Sequence, residues 1–212
     1  PAAEIATKPR REEPADFVSD PERKVRAACA AAWDAYRESR YAAAVSALEG
    51  VRVGKDDALY DRFHFVEGMA WSGLLVSKRQ RNVTFDEAFS KMKESFLSVA
   101  DGAGTSEYKP RALFWLAIAY EIHFNDEPRT LEGIGYFERL ARDFPDSNLA
   151  DDAIYNAGLQ QVKIDKIDDA RRTLQRLQDE RYRDSTVYDT AADRNISTRV
   201  AAEKYLNKIK NW

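Results

Sequence analysis

Two arginines in this chain are each followed, three residues later, by a phenylalanine: Arg62 by Phe65, and Arg111 by Phe114. A guanidinium group can bind a carboxylate through two parallel hydrogen bonds, and a neighbouring aromatic ring offers an apolar surface. This combination favours the binding of a peptide that carries acidic or C-terminal carboxylate groups together with apolar side chains.

Residue types that could support catalysis do not form a recognisable pattern. The two histidines, His64 and His123, form neither a His-x-x-x-His pair nor a His-Glu-x-x-His zinc motif. The glycine-rich stretch at 102–106 lacks the lysine of a phosphate-binding loop, so we expect a turn there. Because no acid, base and nucleophile can be assembled, we predict no enzymatic activity, no cofactor and no metal.

The remaining chemically notable residues have structural interpretations. Cys29 is the single cysteine, and it lies in an alanine-rich stretch where a small packing residue is expected. Two acidic pairs, Asp151-Asp152 and Asp168-Asp169, come at the starts of predicted helices. Carboxylates there accept hydrogen bonds from free backbone N–H groups and interact favourably with the helix dipole.

The elements that would position these side chains follow from an internal repeat. The segment Phe137-Glu-Arg-Leu-Ala-Arg-Asp-Phe-Pro-Asp-Ser147 recurs in altered form as Leu174-Gln-Arg-Leu-Gln-Asp-Glu-Arg-Tyr-Arg-Asp-Ser185, and the two Asp-Ser pairs are 38 residues apart. A supersecondary unit that repeats at roughly 34–40 residues indicates a helical solenoid, because one such unit cannot bury its apolar face alone.

Small residues mark where the two helices of each unit are expected to touch. In the fourth unit Gly158 and Ala170 are 12 residues apart, and Leu174 and Leu177 share a helix face with Ala170. The matching spacings are 12 residues from Ala32 to Ala44, 20 from Gly68 to Ala88, and 16 from Ala117 to Gly133. These patterns predict paired helices, without any strand, at 23–37 and 41–53, 57–77 and 84–100, 108–124 and 130–143, and 150–163 and 167–180, followed by a last helix at 187–210.

Composition agrees with a helical domain that follows an arm. Residues 1–20 contain three prolines and charges of both signs. We therefore expect a disordered or tethering arm at residues 1–22 and a solenoid domain at residues 23–212. The net charge of −3 gives no general attraction to nucleic acid, and no apolar run approaches the roughly 20 residues of a membrane span.

The fourth unit resembles the tetratricopeptide repeat (TPR), in which large, small and aromatic residues alternate at the positions described above. The segment Phe137–Ser147 and the turn Tyr36-Arg-Glu-Ser-Arg-Tyr41 resemble TPR proteins of the bacterial envelope. That branch includes the barrel-assembly lipoprotein and the Tol–Pal-associated type. The resemblance implies an all-α, right-handed solenoid of about four helix-turn-helix repeats and a C-terminal capping helix.

In TPR proteins the first helices of the repeats line a concave groove. When the first helices are aligned on their small residues, the positions that this resemblance assigns to the groove are Arg26, Trp33, Arg62, Phe65, Met69, Arg111, Phe114, Ile118 and Tyr155. We expect these residues to bind the partner. The alternative is that they pack between repeats, with the arginine side chains extending to water.

The resemblance implies a non-catalytic protein–protein interaction scaffold of the bacterial cell envelope. Its partner would be a protein or peptide within a multi-protein envelope complex, with neither nucleic acid nor a membrane span involved. We expect the chain in the periplasm, held at the outer membrane by a lipid anchor upstream of Pro1. The alternative location is the cytoplasm. Two alternatives stay open: a structural subunit of a larger envelope or motility machine that uses convex or edge surfaces, and a cytoplasmic TPR chaperone or accessory factor.

Overall fold

A computed structural model describes residues 19–77, 83–189 and 194–210 of the chain. Its described part contains nine α-helices and two short strands, and consecutive helices pack against one another. The helices are α1 (Asp20–Arg37), α2 (Tyr41–Ser46), α3 (Tyr60–Val76), α4 (Phe85–Ala100), α5 (Tyr108–His123), α6 (Glu127–Asp143), α7 (Ala150–Lys163), α8 (Ile167–Gln175) and α9 (Thr198–Ile209). The architecture is the TPR-like all-α solenoid that the repeat predicts, with units α1/α2, α3/α4, α5/α6 and α7/α8.

Side-chain caps fix the starts of three helices. The side chains of Ser19, Thr84 and Asp126 each accept a hydrogen bond from the N–H group three residues later, at 3.4, 3.2 and 3.1 Å. Prolines in the first turns of α1 and α6 replace N–H groups that have no helical partner. Because Ser19 caps α1, that helix begins three residues before the predicted start, and residues 1–18 of the predicted arm lie outside the described residues.

Within the units, the paired helices approach closely where one of them carries a glycine. A β-carbon added to the glycine would lie 2.6 to 2.7 Å from a side chain of the other helix, which is too close for two carbon atoms. These pairs are Gly68 with Phe96, Gly133 with Tyr120, and Gly158 with Leu174. The alanines that the spacing selects, Ala44, Ala117 and Ala170, have no exposed surface, so the predicted close contacts are present.

Among the described residues, the core consists of three successive clusters rather than one central mass. The first joins α1, α2 and α3, the second joins α3, α4 and α5, and the third extends from Ala100, the last residue of α4, to α9. Their fully buried large residues include Met92 and Phe96 in the second cluster and Phe137, Leu140 and Leu174 in the third. Such a chain of local cores is what stacked repeats produce, because each unit contacts mainly its neighbours.

Two second helices are shorter than predicted. Helix α2 ends at Ser46, although we predicted 41–53, and the chain then turns through Gly50, whose φ is +75°. That conformation favours glycine and cannot continue a right-handed helix. Helix α8 ends at Gln175 rather than at residue 180, and two 3-10 turns, Arg176–Gln178 and Glu180–Tyr182, follow it.

The predicted single helix at 187–210, and with it the prediction of no strand, is wrong. Strand β1 (Thr186–Asp189) pairs antiparallel with β2 (Arg194–Ser197), in register from Thr186 opposite Ser197, before α9 begins. The β-branched and aromatic residues of Thr-Val-Tyr suit an extended backbone. The hairpin lies after the repeats. Helix α9 packs on α7 and α8, so α9 caps the last unit.

Candidate partner-binding cavity

The first helices of three units surround a cavity of about 340 Å³. Helix α3 contacts both α1 and α5, which brings residues of all three helices to one place. The lining is Cys29, Ala30, Trp33 and Asp34 from α1, Arg62, Phe65 and Val66 from α3, and Tyr108 and Arg111 from α5. Four of the nine residues selected from the sequence, Trp33, Arg62, Phe65 and Arg111, therefore lie together.

Aromatic rings form the apolar part of the cavity. The Phe65 ring lies 5.3 Å from the ring of Tyr108 and is itself only 6% exposed. Trp33 stacks on Tyr36 at 5.5 Å, with the two rings inclined by 12°, and keeps 37% of its surface exposed. This stacking holds a broad apolar surface at the cavity rim, where a ligand side chain could cover it.

The charged groups leave the cavity with uncompensated positive charge. Arg111 pairs with Glu107 of its own helix at 3.3 Å, and about half of the Arg111 side chain is exposed. Asp34, the cavity's carboxylate, is already bound to Arg37. Among the residues that the structure describes, Arg62 has no ion pair or hydrogen bond, although it is half-buried. A half-buried guanidinium without a carboxylate favours an anionic ligand, because unpaired charge is costly to remove from water.

Burial raises the pKa of the Cys29 thiol, and the charge of Arg62 only partly opposes this effect. The thiol is therefore protonated at neutral pH, and the thiolate is the reactive form of cysteine. Cys29 is 1% exposed and packs in the first core cluster, as a small apolar residue would.

Two selected residues are held away from the cavity by their own contacts. Arg26 pairs with Glu22 on the same helix at 2.6 Å and is not part of the cavity lining. Met69 is 3% exposed and packs in the second core cluster. That cluster is built from α3, α4 and α5, so these helices bury the Met69 side chain and leave almost none of it on the surface.

The other three selected residues contact neighbouring helices. Phe114 and Ile118 are half-buried against the third core cluster, and the Phe114 ring lies 5.7 Å from Phe137. Tyr155 lies 6.0 Å, ring to ring, from Tyr205 of the capping helix α9. At the C-terminal end of the predicted groove, Tyr155 therefore contacts the cap.

Sequence reasoning missed three residues on α5. Tyr108 lines the cavity, and two large apolar side chains are exposed: Trp115 at 38% and Ile122 at 61%. The available signal was helical spacing, since Trp115 follows Arg111 by four residues and Ile122 follows by eleven. Because residues 112–120 of this helix are all apolar, that spacing alone does not distinguish exposed from buried positions.

The two histidines lie in separate environments. His64 is 2.9 Å from Glu67 through Nδ1 and packs edge-on against Tyr60. His123 packs edge-on against Phe85, and burial lowers its pKa. Within the described ranges, no group of three or more His, Cys, Asp or Glu side chains is arranged to hold a metal ion. None of the described helices is long and apolar enough to cross a membrane.

Comparison with known proteins finds a family match at the fourth unit, α7/α8. The tetratricopeptide repeat family matches residues 152–185, which cover most of α7, all of α8 and the 3-10 turns. Neither the curated proteins nor the solved structures contain a match to the chain. The family is generally one of non-catalytic interaction scaffolds. The match and the helical solenoid together support a tetratricopeptide-repeat protein, and such repeats suggest a protein–protein interaction module.

Proposed function

We propose that this chain is a non-catalytic scaffold of the bacterial cell envelope that binds an acidic segment of a partner protein in the cavity between α1, α3 and α5. The observation that carries this proposal is that Arg62 and Arg111 line the same cavity as the Trp33 and Phe65 rings. Stacking of the repeats needs no arginine in a half-buried position without a carboxylate partner, whereas an acidic ligand would supply one.

The envelope location is supported by resemblance of the segment Phe137–Ser147 to envelope TPR proteins. Here that segment forms the end of α6 and the loop before α7. Arg139 within it binds Asp101 at 2.7 Å and the carbonyl of Ala100 at 3.1 Å, which ties the third unit to the second. We propose a periplasmic protein held by a lipid anchor upstream of Pro1. Fractionation of cells that express the native gene tests this, because the proposal predicts recovery with the outer membrane.

A second candidate function is a structural subunit of a larger envelope or motility machine. Exposed apolar residues favour it: Val76 at the end of α3, Phe85 at the start of α4 and Leu131 near the start of α6. All three lie at the edge where the first helix of a unit turns into the second. Burial of this turn edge in an assembly would use a surface separate from the cavity.

Selection from a display library of random linear peptides tests the cavity proposal. We expect wild-type protein to enrich acidic peptides, and the double variant Arg62→Glu/Arg111→Glu to lose them, because charge reversal replaces attraction by repulsion at two sites. The control is Arg52→Glu/Arg176→Glu, which changes two exposed arginines and gives the same net charge. Circular dichroism should show unchanged helicity in both variants.

Retention of the selected peptides by the cavity variant would contradict the proposal. Enrichment of peptides without acidic residues would also contradict it. A loss of binding that the control variant shares would indicate a general effect of net charge rather than a site.

A further inference from the structure

One face of α5 continues outward from the cavity. Arg111, Trp115, Ile118 and Ile122 follow one another at spacings of four, three and four residues, which places them on one side of the helix. The Arg111 side chain is 49% exposed, Trp115 is 38% exposed and Ile122 is 61% exposed, while Ile118 is half-buried. A row of apolar side chains therefore begins at the arginine that lines the cavity.

The packing of repeats does not account for these apolar residues. Relative to the small residue of each first helix, the positions that match Trp115 are Ala30 in α1, Val66 in α3 and Asn156 in α7. Those that match Ile122 are Arg37, Gly73 and Lys163. Val66 is buried, and none of the other five is a large apolar residue, so an exposed large apolar side chain at these positions is a property of α5 alone. Single exposed apolar residues need no explanation, but two in line with a cavity arginine suggest a binding surface.

We propose that this face of α5 binds an extended partner segment in which an acidic residue is followed, at every second position, by two apolar residues. The inference rests on the proposed function, since the acidic residue occupies the cavity at Arg62 and Arg111. It adds Trp115 and Ile122 as the residues that select the partner's apolar side chains.

The spacing along the helix fits an extended segment. With a rise of about 1.5 Å per residue, Trp115 lies about 6 Å and Ile122 about 16 Å along α5 from Arg111. Alternate side chains of an extended chain repeat at about 6.7 Å, so the first apolar residue faces Trp115 and the second lies between Ile118 and Ile122. A single row of side chains matches alternate residues of a strand, whereas a helical ligand would need a wider apolar groove.

Trp115 is expected to contribute most of the apolar binding energy. Tryptophan is enriched among residues whose truncation costs an interface most, because one rigid side chain covers a large area. Its ring touches Phe114 edge-on, at 6.3 Å between centroids, which supports it from one side. The exposed remainder of the ring is available to a ligand.

Fluorescence polarisation with two labelled peptides of equal composition tests the inference. The patterned probe contains Glu-Ser-Phe-Ser-Leu, and the scrambled probe contains Glu-Phe-Leu-Ser-Ser. The patterned probe should bind about tenfold more tightly, and Trp115→Ser should weaken its binding by about tenfold or more. Trp115→Phe, which keeps an aromatic side chain, should lose less affinity for the patterned probe than Trp115→Ser. Ile122→Ser should also bind this probe measurably more weakly than wild type.

Val200→Ser, which changes an exposed apolar residue of α9, is the matched control and should leave the affinity unchanged. Equal affinity of the two probes, or unchanged affinity in Trp115→Ser and Ile122→Ser, would overturn the inference. If Arg62→Glu/Arg111→Glu still abolishes binding in that case, the proposed function stands and only the role of the α5 face fails. If the arginine variant also binds normally, the proposed function fails as well.

Discussion

A β-carbon placed on Gly158 of α7 would lie 2.6 Å from Cδ2 of Leu174 on α8. Both residues are in the unit that matches the tetratricopeptide repeat. The two helices are therefore as close as a glycine allows, and the register of the unit depends on this contact.

Gly158→Leu should overpack this helix pair and lower the free energy of unfolding by about 1–3 kcal/mol, and Ala170→Leu should do the same. Urea denaturation measures the change. Gly135→Ala is the control, because Gly135 lies on an exposed part of α6 with no heavy atom within 4 Å of an added β-carbon. The free energy of unfolding of that variant should rise by up to about 1 kcal/mol, since alanine restricts the unfolded chain. Unchanged stability in both leucine variants would reject the register.

The cap depends on a buried hydrogen bond between distant parts of the chain. Thr198, which has no exposed surface, donates from Oγ1 to Oδ2 of Asp151 at 3.1 Å. Thr198→Val should leave that carboxylate without this donor and lower stability by about 1–3 kcal/mol.

Hydrogen exchange should show faster exchange in α9 of Thr198→Val, because the hydrogen bond joins the start of α9 to α7. Thr186→Val, which alters an exposed threonine of β1, should change stability by no more than about 0.5 kcal/mol. An equal effect of the two substitutions would show that the Thr198–Asp151 bond does not hold the cap.

Stability should fall as pH rises from about 4 to about 6 because of Asp152. Burial and the neighbouring charge of Asp151 raise the pKa of Asp152 to about 6. The unfolded chain releases this proton near pH 4, so within the window only the folded state keeps it, and each increase in pH favours unfolding.

Asp152→Asn should remove this dependence. Compared with wild type, the variant should gain more stability at about pH 8 than at about pH 4, as measured by thermal unfolding at both pH values. An equal gain at the two pH values would show that the pKa of Asp152 is not raised in the folded protein.

The repeat architecture could be predicted because it depends on local constraints. Gly68 and Gly158 mark helix contacts through size alone, and that requirement is visible in sequence spacing. The hairpin at Thr186–Ser197 could not be predicted in this way, because two four-residue strands carry too short a pattern to separate from a helix. The early end of α2 could not be predicted either, because Ala47, Leu48 and Glu49, which follow Ser46, all favour a helix.

The candidate site could be predicted in part for a related reason. Trp33, Arg62, Phe65 and Arg111 meet because they occupy nearby positions on three stacked first helices. Met69 and Tyr155 lie outside the cavity, and their surroundings depend on other elements: α3, α4 and α5 form the cluster that buries Met69, and α9 contacts Tyr155. Trp115 was missed because spacing does not show which residues of an apolar helix face solvent.

Site-specific photo-crosslinking in cells tests the central claim, that the cavity between α1, α3 and α5 is the partner-binding surface. A benzophenone amino acid replaces Ala30, an exposed residue of the cavity lining, or Leu131 on the turn edge. We predict a discrete crosslinked partner from position 30 that disappears in Arg62→Glu/Arg111→Glu, and none from position 131. A crosslink from position 131 that survives charge reversal, with none from position 30, would contradict the account and favour the structural-subunit alternative.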